Sequence, residues 1–273
     1  MSWIEAFFLG ALQGLTEFLP ISSSGHLVLF ENLLQLEAEN YLFFDILLHV
    51  ATLIAVCFYF RKRIWEVCRN LTAWFRLSHL STEFCLDQYL IPAILLSTFV
   101  TGSMAIFIKE PVETMRDHLL GVGICFLLTG ALLLATRLRP QPVPDVAHTD
   151  FPMNIWLFAL IMGLVQGLAI LPGISRSGAT ICTALLLGVS KEIAVEYSFL
   201  ISIPAIIGAM LLHLSEAEVI YVTFDTAFIG FTAALISGII FLRLLVWITQ
   251  KGKLHQFAWY LIPLGIWVIW SSL

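Results

Sequence analysis

Two segments of this chain, 153 residues apart, carry the same unusual pattern: an apolar helix that breaks at a proline into a loop of serine and glycine. The first runs from Gly10 through Gln13, Gly14, Glu17 and Pro20 to Ser22, Ser23, Ser24, Gly25 and His26. The second runs from Gly163 through Gln166, Gly167 and Pro172 to Gly173, Ser175, Arg176, Ser177, Gly178 and Thr180. The pattern constrains the fold because the surrounding chain is so apolar. Of 273 residues, 59% are hydrophobic and 12% charged, whereas a soluble domain carries about a quarter charged residues. The chain therefore reads as an all-α polytopic membrane protein. In hydrocarbon, broken backbone survives only where protein or a water-lined cavity satisfies its polar groups. Two such breaks at corresponding places in two halves point to a binding site.

A membrane-crossing helix needs roughly 20 apolar residues. Segments 41–60, 91–108, 118–136, 194–213, 226–242 and 255–272 meet that need, giving about six spans. Regions 3–35 and 154–189 are long but broken, and each second arm is too short to cross, so both read as re-entrant helical hairpins. The Lys and Arg distribution orients them. Arg61, Lys62, Arg63, Arg69, Arg76, Arg137, Arg139, Lys191, Lys251 and Lys253 fall on one side, expected to be cytoplasmic. Glu37, Glu39, Glu216, Glu218 and Asp225 fall on the other, with only Lys109 and Arg116 as basic company. Each half then has one hairpin and three crossings, which inverts the second half relative to the first and lets the hairpin tips meet near the midplane. The expected organisation is a single membrane domain over 1–273. Repeat 1 covers about 1–137, a Pro-rich linker 138–152, and repeat 2 about 153–273, with both termini outward.

A net charge of −5 gives no footprint for nucleic acid. The five cysteines form no CxxC pair and read as packing residues. The start lacks a basic leader, so no cleaved signal peptide is expected.

The polar residues inside the hairpins carry the chemistry. Glu17 is an acid in an apolar helix, where ionisable groups are costly and seldom idle. Gln13 lies one turn before it, so the pair offers two oxygens to a divalent cation, or else knits two helices together. Ser23 and His26, three apart, suggest a nucleophile and its base. In the second loop, the fork of Arg176 matches phosphate oxygens. Gly173 lets backbone approach a ligand, and Ser175, Ser177 and Thr180 add hydroxyls at a helix N-terminus. A structural arginine paired with Glu17 or Glu196 is the competing reading. Together the loops hold equipment for phosphoryl transfer on a lipid phosphate. Asp45, His49 and Glu196 read as structural, with the lipid's entry route as the alternative, and His79, His118, His148, His213 and His255 receive no role.

These motifs resemble those of the undecaprenyl-diphosphate phosphatase family, the bacitracin-resistance or BacA type. Its first motif is matched from Gln13 through Glu17 and on through Phe18-Leu19-Pro20 to Ser22, Ser23, Gly25 and His26. Its second is matched from Pro172 through Thr180, and Glu196-Tyr197-Ser198-Phe199 adds to the likeness. Gln13 stands where many relatives have glutamate. The resemblance implies hydrolysis of undecaprenyl diphosphate to undecaprenyl phosphate and inorganic phosphate, recycling the lipid carrier for peptidoglycan and other cell-wall polymers. It further implies a divalent cation (Mg²⁺ or Ca²⁺) on Gln13 and Glu17, and a site open to the outer face of the bacterial inner membrane. Catalytic roles then fall on Glu17, Ser23, His26 and Arg176, with Ser22, Gly173, Ser175, Arg176, Ser177 and Thr180 around the phosphate. The nucleophile stays open between Ser23, His26 and a metal-bound water. Expected partners are the lipid substrate and membrane lipid, with a homodimer left open. A carrier-lipid transporter is the alternative from another class.

Overall fold

The computed structural model describes residues 1–34, 42–74, 86–138, 153–214 and 223–273. The expectations for Glu37, Glu39, Arg76, His79, Cys85, Arg139, His148, Glu216, Glu218 and nearly all of the linker fall outside these residues. Within them every regular element is a helix. Helices α1 (Trp3–Phe18) and α2 (Ser23–Leu34) form the first hairpin. They are followed by α3 (Leu42–Tyr59), α4 (Arg61–Trp74), α5 (Leu86–Asp117) and α6 (Leu119–Ala135). The second half begins with the hairpin α7 (Ile155–Leu168) and α8 (Arg176–Leu186). It continues through α9 (Lys191–Leu214), α10 (Phe224–Gln250) and α11 (Ala258–Ser272).

Local chemistry sets the hairpin boundaries. Ser2 and Glu5 close a reciprocal capping box at the start of α1, satisfying two backbone donors that would otherwise lack partners. Pro20 ends that helix because its ring pushes the preceding residue out of the helical region, and Leu19 is extended (φ −63°, ψ 144°). Asn154 caps α7, its Oδ1 accepting from the backbone of Trp156 at 2.9 Å and Leu157 at 3.3 Å.

Among the described residues, four helices are long and apolar enough to cross a membrane, within Tyr89–Ile108, Leu119–Leu138, Lys191–Leu212 and Phe224–Gln250. The expected span at 41–60 is only part of a longer element. Phe43–Tyr59 turns through 73° into Arg61–Arg69, and α4 carries the basic run as an amphipathic helix. The expected span at 255–272 is a 3-10 turn, Leu254–Phe257, leading into the 15 residues of α11. By standard rises the two together cover roughly 30 Å. Large side chains such as Phe99, Phe107 and Trp270 point outward, as a lipid environment permits.

The two halves pack by one scheme. Helix α1 lies along α10 as α7 lies along α5, α3 packs on α10 as α9 packs on α5, and α6 pairs with α11. Glycine makes these approaches close. A Cβ on Gly14 would sit 2.6 Å from the Ala234 carbonyl oxygen. One on Gly163 would sit 2.7 Å from the Ser97 carbonyl oxygen. Both belong to Gly-x-x-x-Gly spacings (Gly10/Gly14 and Gly163/Gly167), which let membrane helices approach backbone to backbone. The buried core, which includes Phe18, Phe126, Phe158, Tyr197 and Phe199, surrounds the hairpin tips.

Candidate active site

The tips of the two hairpins touch. A Cβ on Gly25 would lie 2.7 Å from Gly173 Cα, and one on Gly178 would lie 3.1 Å from Pro20 Cβ. Residues 25 and 178 correspond under the 153-residue offset, as do 20 and 173, so the contact is reciprocal. Two further crossings tie the loops. Gly173 N donates to Ser22 Oγ at 3.1 Å, and Ser177 Oγ donates to the Phe18 carbonyl at 3.1 Å.

Repeated residues do repeated work. Ser22 Oγ accepts from Gly25 N at 3.2 Å, and Ser175 Oγ accepts from Gly178 N at 3.1 Å. Ser22 and Ser24 lie 3.4 Å apart, and Ser175 and Ser177 3.3 Å. These hydroxyls cap and close the loops. The chemically distinctive residues are those that differ between the repeats: Glu17 where the second repeat has Ile170, Ser23 against Arg176, and His26 against Ala179.

Glu17 is the hub. Arg176 pairs with its Oε1, Ser23 Oγ donates to Oε2 at 2.9 Å, and Gln13 Nε2 donates to Oε2 at 3.4 Å. His49 reaches in from α3, its Nε2 3.9 Å from Oε2, and Asp45 stands behind it at 3.5 Å. A carboxylate this buried is tolerable because opposite charge and hydrogen bonds surround it. The two structural alternatives for Arg176 thus separate: it holds Glu17, while Glu196 pairs with Arg63 at 2.6 Å.

The expected Ser23–His26 pairing is replaced by a different one. Ser23 turns to Glu17, while His26 Nδ1 lies 2.8 Å from the Ser22 carbonyl and Nε2 lies 2.8 Å from Tyr260 Oη. The expected hydroxyl cradle is also largely committed elsewhere. Ser22, Ser175, Ser177 and Thr180 are buried, and Thr180 Oγ1 donates to the Arg176 carbonyl at 2.7 Å. Ser23, Arg176, Asp45 and His49 keep partial exposure and form the reachable face. Ser22 is the single non-glycine residue at positive φ (70°) among the described residues. Such a conformation costs on the order of 1–3 kcal/mol, and it persists at functional sites because its surroundings hold it there.

Gln13 and Glu17 offer an amide oxygen and a carboxylate, hard donors suited to Mg²⁺ or Ca²⁺. Among the described residues no group of three or more His, Cys, Asp or Glu side chains is arranged to hold a metal ion. The donor set fits a cation whose remaining ligands are phosphate oxygens and water.

Of Asp45 and His49, expected to be structural, His49 lies beside Glu17 with Asp45 behind it, and Tyr260 and Thr129 join the site with no expectation from the sequence. Thr129 Oγ1 donates to the Gly173 carbonyl at 3.0 Å and accepts from Ser175 N at 3.2 Å. A signal existed for the α3 pair, an acid and a histidine one turn apart in an apolar helix. None marked Tyr260, which lies 234 residues from His26.

Residues 6–267 match the family described as bacitracin resistance protein BacA. A Treponema denticola protein named undecaprenyl-diphosphatase is 42% identical, over 97% of this chain and 96% of its own. Proteins of the same name from Methanosphaera stadtmanae and Bacteroides fragilis are each 38% identical, covering 95% or more of both chains.

Proposed function

The chain belongs to the BacA family, and from that membership and the joined hairpin tips we propose that it hydrolyses undecaprenyl diphosphate to undecaprenyl phosphate and inorganic phosphate. The observation that carries this reading is the Glu17 hub. It gathers a serine hydroxyl, a guanidinium and a carboxylate from both hairpins at one partly open point.

The terminal phosphate of the substrate competes with Glu17 for Arg176, offering its fork a matching set of oxygens. Release of that ion pair frees Glu17 to accept the Ser23 proton. Ser23 Oγ then bonds to the terminal phosphorus, the bond to the bridging oxygen breaks, and undecaprenyl phosphate departs. Water displaces the serine, inorganic phosphate leaves, and the proton on Glu17 returns to Ser23 as the water proton leaves with product. Positioning and charge neutralisation carry most of such a reaction. A divalent cation held by Gln13 and Glu17 would supply further charge neutralisation on the diphosphate.

The protein is a multi-pass membrane protein, and we assign it to the bacterial inner membrane with both termini outward. The basic end is coherent: Lys191, Thr136, Thr249, Gly252 and Leu254 line one small cleft, and Lys191 Nζ donates to the Gln250 carbonyl at 2.8 Å. That end takes the cytoplasmic side by the positive-inside rule. His49 lies about two turns from the opposite end of α3, which supports a site reached from the outer face. Purified protein in detergent, where no gradient exists, tests the reading. Phosphate release that ceases in Ser23→Ala supports it, and substrate binding without release would favour a carrier-lipid transporter.

A further inference from the structure

Ser22 and Ser175 occupy equivalent places and cap equivalent loops, yet Ser22 has φ 70° and Ser175 φ −74°. Something in the first half holds a conformation that the second half does without. The Ser175 carbonyl accepts a bond from Ala179 N at 2.7 Å, and the Ala179 methyl has no donor to add a second. Ser22 accepts from His26 N at 3.2 Å and also faces the His26 ring, at 2.8 Å from Nδ1. A carbonyl oxygen only accepts, so Nδ1 carries the proton in this bond. The proton-bearing Tyr260 hydroxyl then donates to Nε2 at 2.8 Å, and the two rings stack at 12° with Phe126 edge-on to the imidazole. His26 is thereby fixed in tautomer and orientation from both sides.

We propose that Tyr260 is a positioning residue of this site, and that His26 serves it as a fixed hydrogen-bond donor to the Ser22 carbonyl rather than as the base for Ser23. The sequence of contacts is continuous. Tyr260 Oη sets the His26 ring, Nδ1–H holds the left-handed turn at Ser22, and that turn sends Ser23 Oγ to Glu17. A residue of the last helix thus controls the geometry of the first hairpin. The activity readouts below rest on the phosphatase reading.

Substitutions that mimic one ring nitrogen at a time separate the roles. In His26→Asn the amide nitrogen takes the place of Nδ1 and keeps the donor without a base. In His26→Gln it takes the place of Nε2 and loses the donor to Ser22. The proposal expects His26→Asn to keep about a tenth or more of wild-type kcat, and His26→Gln to fall about 100-fold or further, the scale of losing a general base or the group it needs. Tyr260→Phe should lower kcat about 5–10-fold with KM within about twofold, as expected for a hydrogen bond acting only on geometry. Gel filtration and circular dichroism check that each variant folds. ¹⁵N-histidine NMR of the intact protein in detergent supplies a readout independent of turnover. His26, assigned by its loss in His26→Asn, should show Nδ1 protonated and Nε2 as acceptor, and this state should give way to mixed tautomers in Tyr260→Phe. Equal inactivity of folded His26→Asn and His26→Gln, or wild-type kcat in Tyr260→Phe, overturns the proposal while leaving the phosphatase standing. If the wild type releases no phosphate, the phosphatase reading fails, and the tautomer spectrum decides the positioning role alone.

Discussion

In the proposed reaction Glu17 faces competing demands, since the oxygens that pair with Arg176 and Ser23 are those it would use as a base and a cation ligand. On that reading, substrate would resolve the competition by drawing Arg176 away. The geometry of the guanidinium is therefore expected to matter beyond its charge. Arg176→Lys keeps the charge but loses the planar fork, and kcat should fall about 100-fold, the scale of removing one preorganised donor from a charge-stabilising site. Steady-state phosphate release checks this, and a loss confined to KM would contradict it. Gln13, Glu17, Ser23 and Arg176 were legible in the sequence because polar groups at bilayer depth need a reason to be there. Their pairing was not. Ser23 meets Glu17 across six residues of a turn whose shape depends on Ser22, and a left-handed serine leaves no trace in spacing. The approach of His49 to Glu17 left no mark in the sequence, because the two sit on different helices.

The hairpins hold because their first arms press glycine against neighbouring backbone. Gly14 on α1 lies against the backbone of Ala234 and Gly238 on α10, with the Ser237 hydroxyl beside them. A valine at position 14 has no room, since backbone cannot move as a flexible side chain would. Overpacking of this kind costs about 1–3 kcal/mol or more, and Gly14→Val should lower the thermal midpoint of the detergent-solubilised protein. Gly208 on α9 is the control. Nothing lies within 4 Å of a Cβ there, so Gly208→Ala should leave the midpoint unchanged or raise it, helix propensity favouring alanine. The Gly-x-x-x-Gly spacing was present in the sequence, but spacing alone does not say which helix fills the other side. The bend between α3 and α4 was equally hidden. Phe60 and Arg61 give no proline or glycine signal, and only the switch from an apolar run to a basic one marks the turn.

At the scale of the molecule, the exchange of packing partners between halves brings two unlike loops to one point. The serines and glycines are shared, while Glu17/Ile170, Ser23/Arg176 and His26/Ala179 set the two loops apart. The membrane class, the two hairpins and most spans were legible because hydropathy and helix breaks are local properties. The relation between halves was legible only as an expectation, since partner choice depends on side-chain shape across the core. The topology has its own test. In a cysteine-free background, Lys62→Cys and Lys253→Cys should react with a membrane-impermeant thiol reagent only from the cytoplasmic side, and Phe224→Cys only from the outside. Reaction of Lys62→Cys and Phe224→Cys from one side would contradict the assigned orientation. A cation-assisted phosphatase shared by both hairpins should release phosphate from undecaprenyl diphosphate in detergent, with wild type and Arg176→Ala compared with and without EDTA. Release by the wild type is expected, with loss of at least about 100-fold in Arg176→Ala and loss with EDTA that Mg²⁺ or Ca²⁺ restores. A folded wild type that releases no phosphate even with added cation would contradict the phosphatase, and release indifferent to EDTA would contradict the cation.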